Sequence, residues 1–216
     1  EGNGTFSVNG GDTSWPYHRS GGGGRMAVHY QNSSFSGTAT ANAGTYCFSG
    51  CNPAAEAGTV GFFNSTDQSL NISQTWRFQK NDEGFDLNKI ILNKKAKVTA
   101  ENGVMIKADS LLVDDGSALT LLGNQILDIP NFILAFAGTL TFSGGEKINT
   151  NVFLIKEGST LTLSGSETLD IGTLTLEGNS IVTVATEKIL TLDIPNIKIE
   201  AGSSISANKK GYVDGP

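Results

Sequence analysis

The sequence contains very few of the side chains that carry out most enzyme chemistry. Only two histidines and two cysteines occur in 216 residues. Both histidines, His18 and His29, lie within the first thirty residues. They form neither a Ser-His-Asp nor a Cys-His pattern, and no zinc-ligand spacing is present. The sequence therefore predicts a non-enzymatic protein without a cofactor.

A basic surface and a long apolar segment are also missing. The formal net charge is −6, and only 17% of the residues are charged. Nucleic-acid binding needs a basic face, which this balance does not provide. No run of 18 apolar residues occurs, so nothing in the sequence predicts a membrane span. We expect no nucleic-acid partner and no membrane insertion.

The two cysteines, Cys47 and Cys51, stand three residues apart beside Gly50 and Pro53. This arrangement predicts a small loop closed by a structural disulfide in an oxidising compartment. The alternatives are free thiols, a redox pair or half of a metal site. Neither functional alternative has its usual two-residue spacing. The sequence also starts with Glu1 and has no signal-peptide pattern, which we interpret as an excerpt from a longer polypeptide.

What the sequence does contain is a repeat of about 21 residues between positions 85 and 208. Apolar residues recur in two columns that keep the same register. The first column is Phe85, Ile106, Leu127, Ile148, Leu169 and Leu192, and the second is Ile90, Leu111, Phe132, Phe153, Leu174 and Ile197. Turn glycines recur at Gly116, Gly138, Gly158, Gly178 and Gly202. Such a period indicates a solenoid.

Short alternating runs identify the kind of solenoid. Segments such as Leu161-Thr162-Leu163 have the two-residue period of a half-buried strand, and no repeat contains a helical period. A leucine-rich repeat would also need an asparagine inside a fixed leucine-rich phrase, which is absent. We therefore predict an all-β fold, a right-handed parallel β-helix with coils of about 20–24 residues.

The chain divides into three parts by composition. Residues 1–80 are predicted to form glycine-rich, irregular β-helix coils with protruding loops. Residues 81–208 are predicted to form the regular coils, and residues 209–216 lead out of them. The segment 4–11 resembles 37–44, which indicates a repeat within the first part as well.

One predicted loop, at residues 10–24, concentrates groups that suit a sugar ligand. Trp15 and Tyr17 could stack on a sugar ring, while His18 and Arg19 could donate hydrogen bonds to its hydroxyls. These four residues are the candidate ligand-binding set. The alternative interpretation is that the aromatic side chains anchor the loop to the outer wall of the coils.

Residues 20–63 resemble a known protein family. Gly21-Gly-Gly-Gly-Arg25 leads a strand, Phe35-Ser-Gly-Thr-Ala-Thr-Ala-Asn42 follows, and Ala57-Gly-Thr-Val-Gly-Phe62 closes the segment. This pattern is similar to a glycine-rich module of large, repetitive, secreted bacterial surface proteins. The resemblance implies a β-helical shaft on the cell exterior with a structural or adhesive role. The implied partners are surface glycans or neighbouring repeats of the same array, and no catalytic residue is implied.

Two alternative functions follow from columns of polar residues. The column Asp86, Lys107, Asp128, Asn149, Asp170 and Asp193 would place Asp170 and Asp193 on neighbouring coils, as in a polysaccharide-degrading β-helix. Threonines 120, 141, 162 and 175 resemble the ice-binding surface of some antifreeze proteins. A solvent-facing ladder built by repetition is the simpler interpretation of both columns.

Overall fold

The computed structural model consists of strands and turns stacked into a parallel β-solenoid. It describes residues 2–12, 20–33, 35–45, 55–80, 87–208 and 210. The strands in chain order are β1 (Thr5–Ser7), β2 (Arg25–Tyr30), β3 (Thr38–Thr40), β4 (Thr59–Asn64), β5 (Ser69–Ile72), β6 (Thr75–Phe78), β7 (Leu87–Leu92), β8 (Lys97–Ala100), β9 (Met105–Val113), β10 (Ala118–Leu121), β11 (Ile126–Asp128), β12 (Asn131–Leu134), β13 (Thr139–Thr141), β14 (Lys147–Ile155), β15 (Thr160–Leu163), β16 (Thr168–Leu176), β17 (Ile181–Val184), β18 (Asn196–Ile199) and β19 (Ser204–Ser206). The prediction of an all-β parallel β-helix is confirmed.

Three columns of hydrogen-bonded strands run through the regular part. The first column contains the start of β9, β11, the start of β14 and the start of β16. The second contains β5, β7, the end of β9, β12, the end of β14, the end of β16 and β18. The third contains β6, β8, β10, β13, β15, β17 and β19. All these pairings are parallel, so each coil lies in register on the next.

The buried face of each column is a stack of apolar side chains. In the second column Ile90, Leu111, Phe132, Phe153, Leu174 and Ile197 pair directly, which confirms that predicted column from end to end. Phe132 and Phe153 stack with ring centroids 4.6 Å apart and planes 16° from parallel. The core therefore has no centre, because each coil buries its apolar face against its neighbours.

The first predicted apolar column is confirmed only between Ile106 and Leu169. Phe85 lies outside the described residues. Leu192 is placed in no strand, because residues 185–195 form none. The coil that contains Leu192 is two residues longer than its predecessor, and its extra residues loop instead of pairing.

The turns after the second column keep a spacing that the glycines do not show. The two left-handed residues are Asp115-Gly116, Phe136-Ala137, Glu157-Gly158 and Gly178-Asn179 in successive coils. Gly138 follows its turn, and Gly178 takes the first position where Gly158 takes the second. The predicted glycine column is therefore wrong by one residue at two coils. The true turn period is a constant 21 residues, with each turn donating a hydrogen bond from one coil to the next.

A reciprocal exchange at this turn should change stability in opposite directions. Ala137 and Gly158 occupy the same turn position with φ of 61° and 74°. A Cβ added to Gly158 would meet no atom within 4 Å, so only the left-handed backbone opposes alanine there. We expect Gly158→Ala to lower the free energy of unfolding by about 0.5–1 kcal/mol and Ala137→Gly to raise it by a similar amount. Denaturant unfolding measures both values, and changes of the same sign would contradict the explanation.

A second corner of each coil is closed by one acidic or amide side chain. Glu146, which is fully buried, accepts hydrogen bonds from the backbone N–H groups of Ser143 at 2.8 Å and Gly144 at 2.7 Å. Gln125 and Glu167 stand at the same position one coil before and one coil after, and each accepts the N–H of the corresponding glycine. These side chains satisfy backbone donors that the turn would otherwise bury without a partner.

The first part of the chain has longer coils than the regular part. β1 pairs with β3 at a register of Thr5 with Thr38, and β2 pairs with β4 at a register of Arg25 with Thr59. The similarity of segment 4–11 to segment 37–44 therefore reflects two stacked coils. β4 then folds back on β5 as an antiparallel hairpin. This hairpin joins the longer coils to the regular 21-residue coils.

The other end of the solenoid presents its apolar face to solvent. Ile197 and Ile199 in β18 are 43% and 48% exposed, whereas their neighbours Leu174 and Leu176 in β16 are fully buried. No described strand pairs with the outer edge of β18 or β19. Burial in each coil thus depends on the coil that follows it.

Candidate functional site

The predicted sugar-binding residues Trp15, Tyr17, His18 and Arg19 lie outside the described residues, and so do Cys47 and Cys51. The points where the two segments that contain them leave the fold are described. The side-chain Oδ1 of Asp12 accepts hydrogen bonds from the backbone N–H of Thr45 at 2.6 Å and from its hydroxyl at 2.8 Å. Segments 13–19 and 46–54 therefore leave the fold at adjacent points.

This contact should respond to acid. The backbone N–H of Thr45, and secondarily its hydroxyl, hold the pKa of the Asp12 carboxyl below its ordinary value of 3.8. Because the folded-state pKa is lowered, the contribution of Asp12 to stability is complete above the ordinary value and is lost as the pH falls through the folded-state pKa. We expect amide exchange at Thr45 to accelerate in acid more steeply than the general solvent trend. In Asp12→Asn this extra step should be absent, and an unchanged step would contradict the assignment.

The predicted polar column is partly formed. Lys107, Asp128, Asn149 and Asp170 stack in register on the first column of strands. Lysine and asparagine alternate with the aspartates, so no two carboxylates are neighbours within these strands. Asp193 lies in the segment without strands and is not paired with Asp170. The carboxylate pair that a glycoside hydrolase would use is therefore not formed by the stacking that the sequence predicted.

The predicted threonine column mixes two surfaces. Thr120, Thr141 and Thr162 stack in register on the third column, and Thr99 and Thr183 extend the stack at either end. Thr175 belongs to the second column instead, where it pairs with Leu154 and Lys198. Sequence reasoning misplaced Thr175 because the phrase Leu-Thr-Leu occurs in strands of both columns.

A groove lies where the longer coils meet the regular ones, and sequence reasoning did not identify it. It has a volume of about 580 Å³. Four residues of consecutive strands form a row along it, because Arg25 pairs with Thr59, Thr59 with Thr75, and Thr75 with Lys97. Arg77 pairs with Thr99 beside this row. β4 and β6 are paired only at Thr59 and Thr75, so the surface opens beside that contact.

Trp76 lines the groove from β6. Its six-membered ring lies over Gly61, where an added Cβ would come within 2.6 Å of Cζ3. Phe63 and Phe78 pack edge-on against the indole, with centroids 5.9 and 6.2 Å away. The ring is therefore held in one position, and only a residue without a side chain fits beneath it. This confirms the interpretation of Trp76 as a wall residue.

The cationic side chains of the groove are weakly occupied by protein partners. Arg25 Nη1 donates to Gln79 Oε1 at 3.5 Å, and Arg77 Nη1 lies 3.7 Å from Glu101 Oε1, with both side chains of that ion pair largely exposed. Exposed pairs of this kind contribute little to stability. No ion pair to Lys97 is found among the described residues. Glu56 is the one carboxylate on the groove lining.

Other kinds of site find little support in the described ranges. No three His, Cys, Asp or Glu side chains there come together in a way that would hold a metal ion. The same residues form no helix long and apolar enough to cross a membrane. His29 stacks face to face on Phe63, with centroids 4.7 Å apart, which agrees with its predicted inter-strand position.

The fold defines the class of this protein as a parallel β-solenoid built from repeats. Comparisons with protein-family models, with curated proteins and with solved structures give no match.

Proposed function

We propose that this chain is a non-enzymatic structural and adhesive segment of a secreted bacterial surface protein. The observation that supports this proposal is the uninterrupted, in-register stack of strands in the second and third columns. Such a stack makes an extended body whose length grows by about 4.8 Å with each coil, which suits a spacer that displays binding groups away from a surface. The glycine-rich resemblance of residues 20–63 agrees with this role.

A polysaccharide panel tests the adhesive role against the enzymatic one. The purified chain would be incubated with immobilised bacterial and plant polysaccharides, and both retained protein and newly formed reducing ends would be measured. We expect retention without new chain ends. New ends that disappear in Asp128→Asn or Asp170→Asn would overturn the proposal in favour of a polysaccharide-degrading enzyme. Small-angle scattering of the same sample tests the rod, since a compact particle would contradict a spacer role.

The threonine stack favours one further candidate, an ice-binding surface. Thr99, Thr120, Thr141, Thr162 and Thr183 form a continuous outward row. The neighbouring row on the same face contains Lys97, Ala118, Thr139, Thr160 and Ile181, so paired threonines occur on only two of these coils. Thermal hysteresis in the wild type that is lost in Thr141→Lys would support ice binding, and its absence in the wild type would exclude it.

A further inference from the structure

We propose that the groove formed by Arg25, Thr59, Thr75, Trp76, Arg77 and Lys97 binds an acidic polysaccharide, one with carboxylate or sulfate groups along its chain. The proposal rests on the adhesive role and gives it a ligand class and a location. It concerns residues separate from Trp15, Tyr17, His18 and Arg19.

Charge is the first argument. The chain as a whole carries a net charge of −6, yet this groove is lined by three cationic side chains and one carboxylate. Its cations have only weak or no ion-pair partners among the described residues. Cationic side chains that are already held near one another and are free to pair bind anionic groups with charge-assisted hydrogen bonds. The local charge therefore selects an anionic ligand.

The shape of the groove points to a chain rather than to a single ion. Arg25 and Lys97 stand at the two ends of a row of four adjacent strands, so their backbones are separated by three strand spacings, roughly 14 Å. The hydroxyls of Thr59 and Thr75 lie between them, and that of Thr99 lies beside Lys97. A linear ligand with anionic groups at intervals could contact both ends and hydrogen-bond to the hydroxyls along its length.

Trp76 distinguishes a sugar chain from other polyanions. Its ring is fixed over Gly61 and borders the same groove, so it offers a rigid apolar surface beside the cations. Sugar rings present patches of C–H groups that pack on aromatic faces, while their substituents bond to polar neighbours. A nucleic acid would need a far more extensive basic surface than three cations on an acidic protein. We therefore infer an acidic glycan.

The test uses the whole chain and alginate, a polyuronate, with neutral dextran and single-stranded DNA as comparison polymers. We expect alginate to bind, dextran not to bind, and DNA to bind at least tenfold more weakly. Replacing Arg25, Arg77 or Lys97 with glutamine should each weaken alginate binding by about tenfold. Lys107→Gln removes the same charge from the first column and should leave binding unchanged. Raising the salt concentration should weaken binding in the wild type.

Glu56→Gln protects the test from effects on folding. This change removes the only carboxylate of the groove lining, so we expect alginate binding to tighten by roughly threefold, a result that a damaged fold cannot produce. Trp76→Phe should weaken binding with little change in melting temperature.

Alginate binding that ignores the three cation variants, or no alginate binding at all, would overturn the groove proposal. Equal binding of DNA with the same dependence on the variants would replace the acidic glycan with a general polyanion. Retention on another polysaccharide of the panel would still support the adhesive role, so the two proposals can fail separately.

Discussion

Replacing Phe153 with alanine is expected to lower the free energy of unfolding by about 3–5 kcal/mol. The side chain is fully buried and stacks on the ring of Phe132 in the preceding coil. On its other side it meets Leu174 in the coil that follows. A cavity at this position therefore weakens two interfaces between coils, and a solenoid has no distant core to compensate. Urea unfolding, with the midpoint and slope compared with those of the wild type, measures the loss.

Ile197→Ala is the matched control, because Ile197 occupies the same column at the open end. Its side chain is 43% exposed, so truncation removes less buried surface and leaves no enclosed cavity. We expect a loss of about 1 kcal/mol or less. Equal losses for the two variants would show that burial between coils does not determine the stability of this fold.

Replacing Glu146 with alanine is expected to cost about 2–5 kcal/mol. The carboxylate accepts the backbone N–H groups of Ser143 and Gly144 inside a buried corner, and each donor left without a partner costs about 1–3 kcal/mol. The cavity left by the missing side chain adds to this loss. Thermal and denaturant unfolding of the variant measure it, and a neutral result would mean that water replaces the carboxylate at no cost.

Glutamine at this position separates shape from hydrogen bonding. In the preceding coil Gln125 accepts the N–H of Gly123 with Oε1 and donates through Nε2 to the carbonyls of Ala100 at 2.9 Å and Glu101 at 2.6 Å. Glu146→Gln keeps one acceptor but turns an amide group towards a second backbone donor, so we expect an intermediate loss. Gln125→Glu should also destabilise, because a carboxylate would face two carbonyl oxygens. If either exchange is neutral, the corner tolerates both residues and the explanation is wrong.

The second apolar column could be predicted completely because burial fixes its register. A shift of one residue would turn every inward side chain towards solvent, so the sequence must keep leucine, isoleucine or phenylalanine at that spacing. Glycine was a poorer guide to the turns. Each turn needs two left-handed residues, and glycine takes either position or is replaced, as at Phe136 and Ala137. The period of the turns is therefore more regular than the spacing of the glycines.

The groove could not be predicted because it joins parts of the chain with different periods. Arg25 belongs to a coil whose partner lies 34 residues away, at Thr59, whereas Thr75 pairs 22 residues on, with Lys97. No single repeat length aligns Arg25 with Lys97. The corner residues Gln125, Glu146 and Glu167 are different, since their spacing of 21 was visible in the sequence. Attention to polar as well as apolar periodicity would have found them.

The exposed isoleucines of β18 make the two ends of the second column unequal in their resistance to opening. Separating β18 from β16 exposes little new apolar surface, because Ile197 and Ile199 are already in contact with water. At the opposite end β4 covers β5 as an antiparallel strand, with Leu70 and Ile72 fully buried. Local unfolding should therefore begin at β18 and β19 and advance inwards one coil at a time. The molecule has a direction of fraying, and its most protected amides should lie in the middle coils.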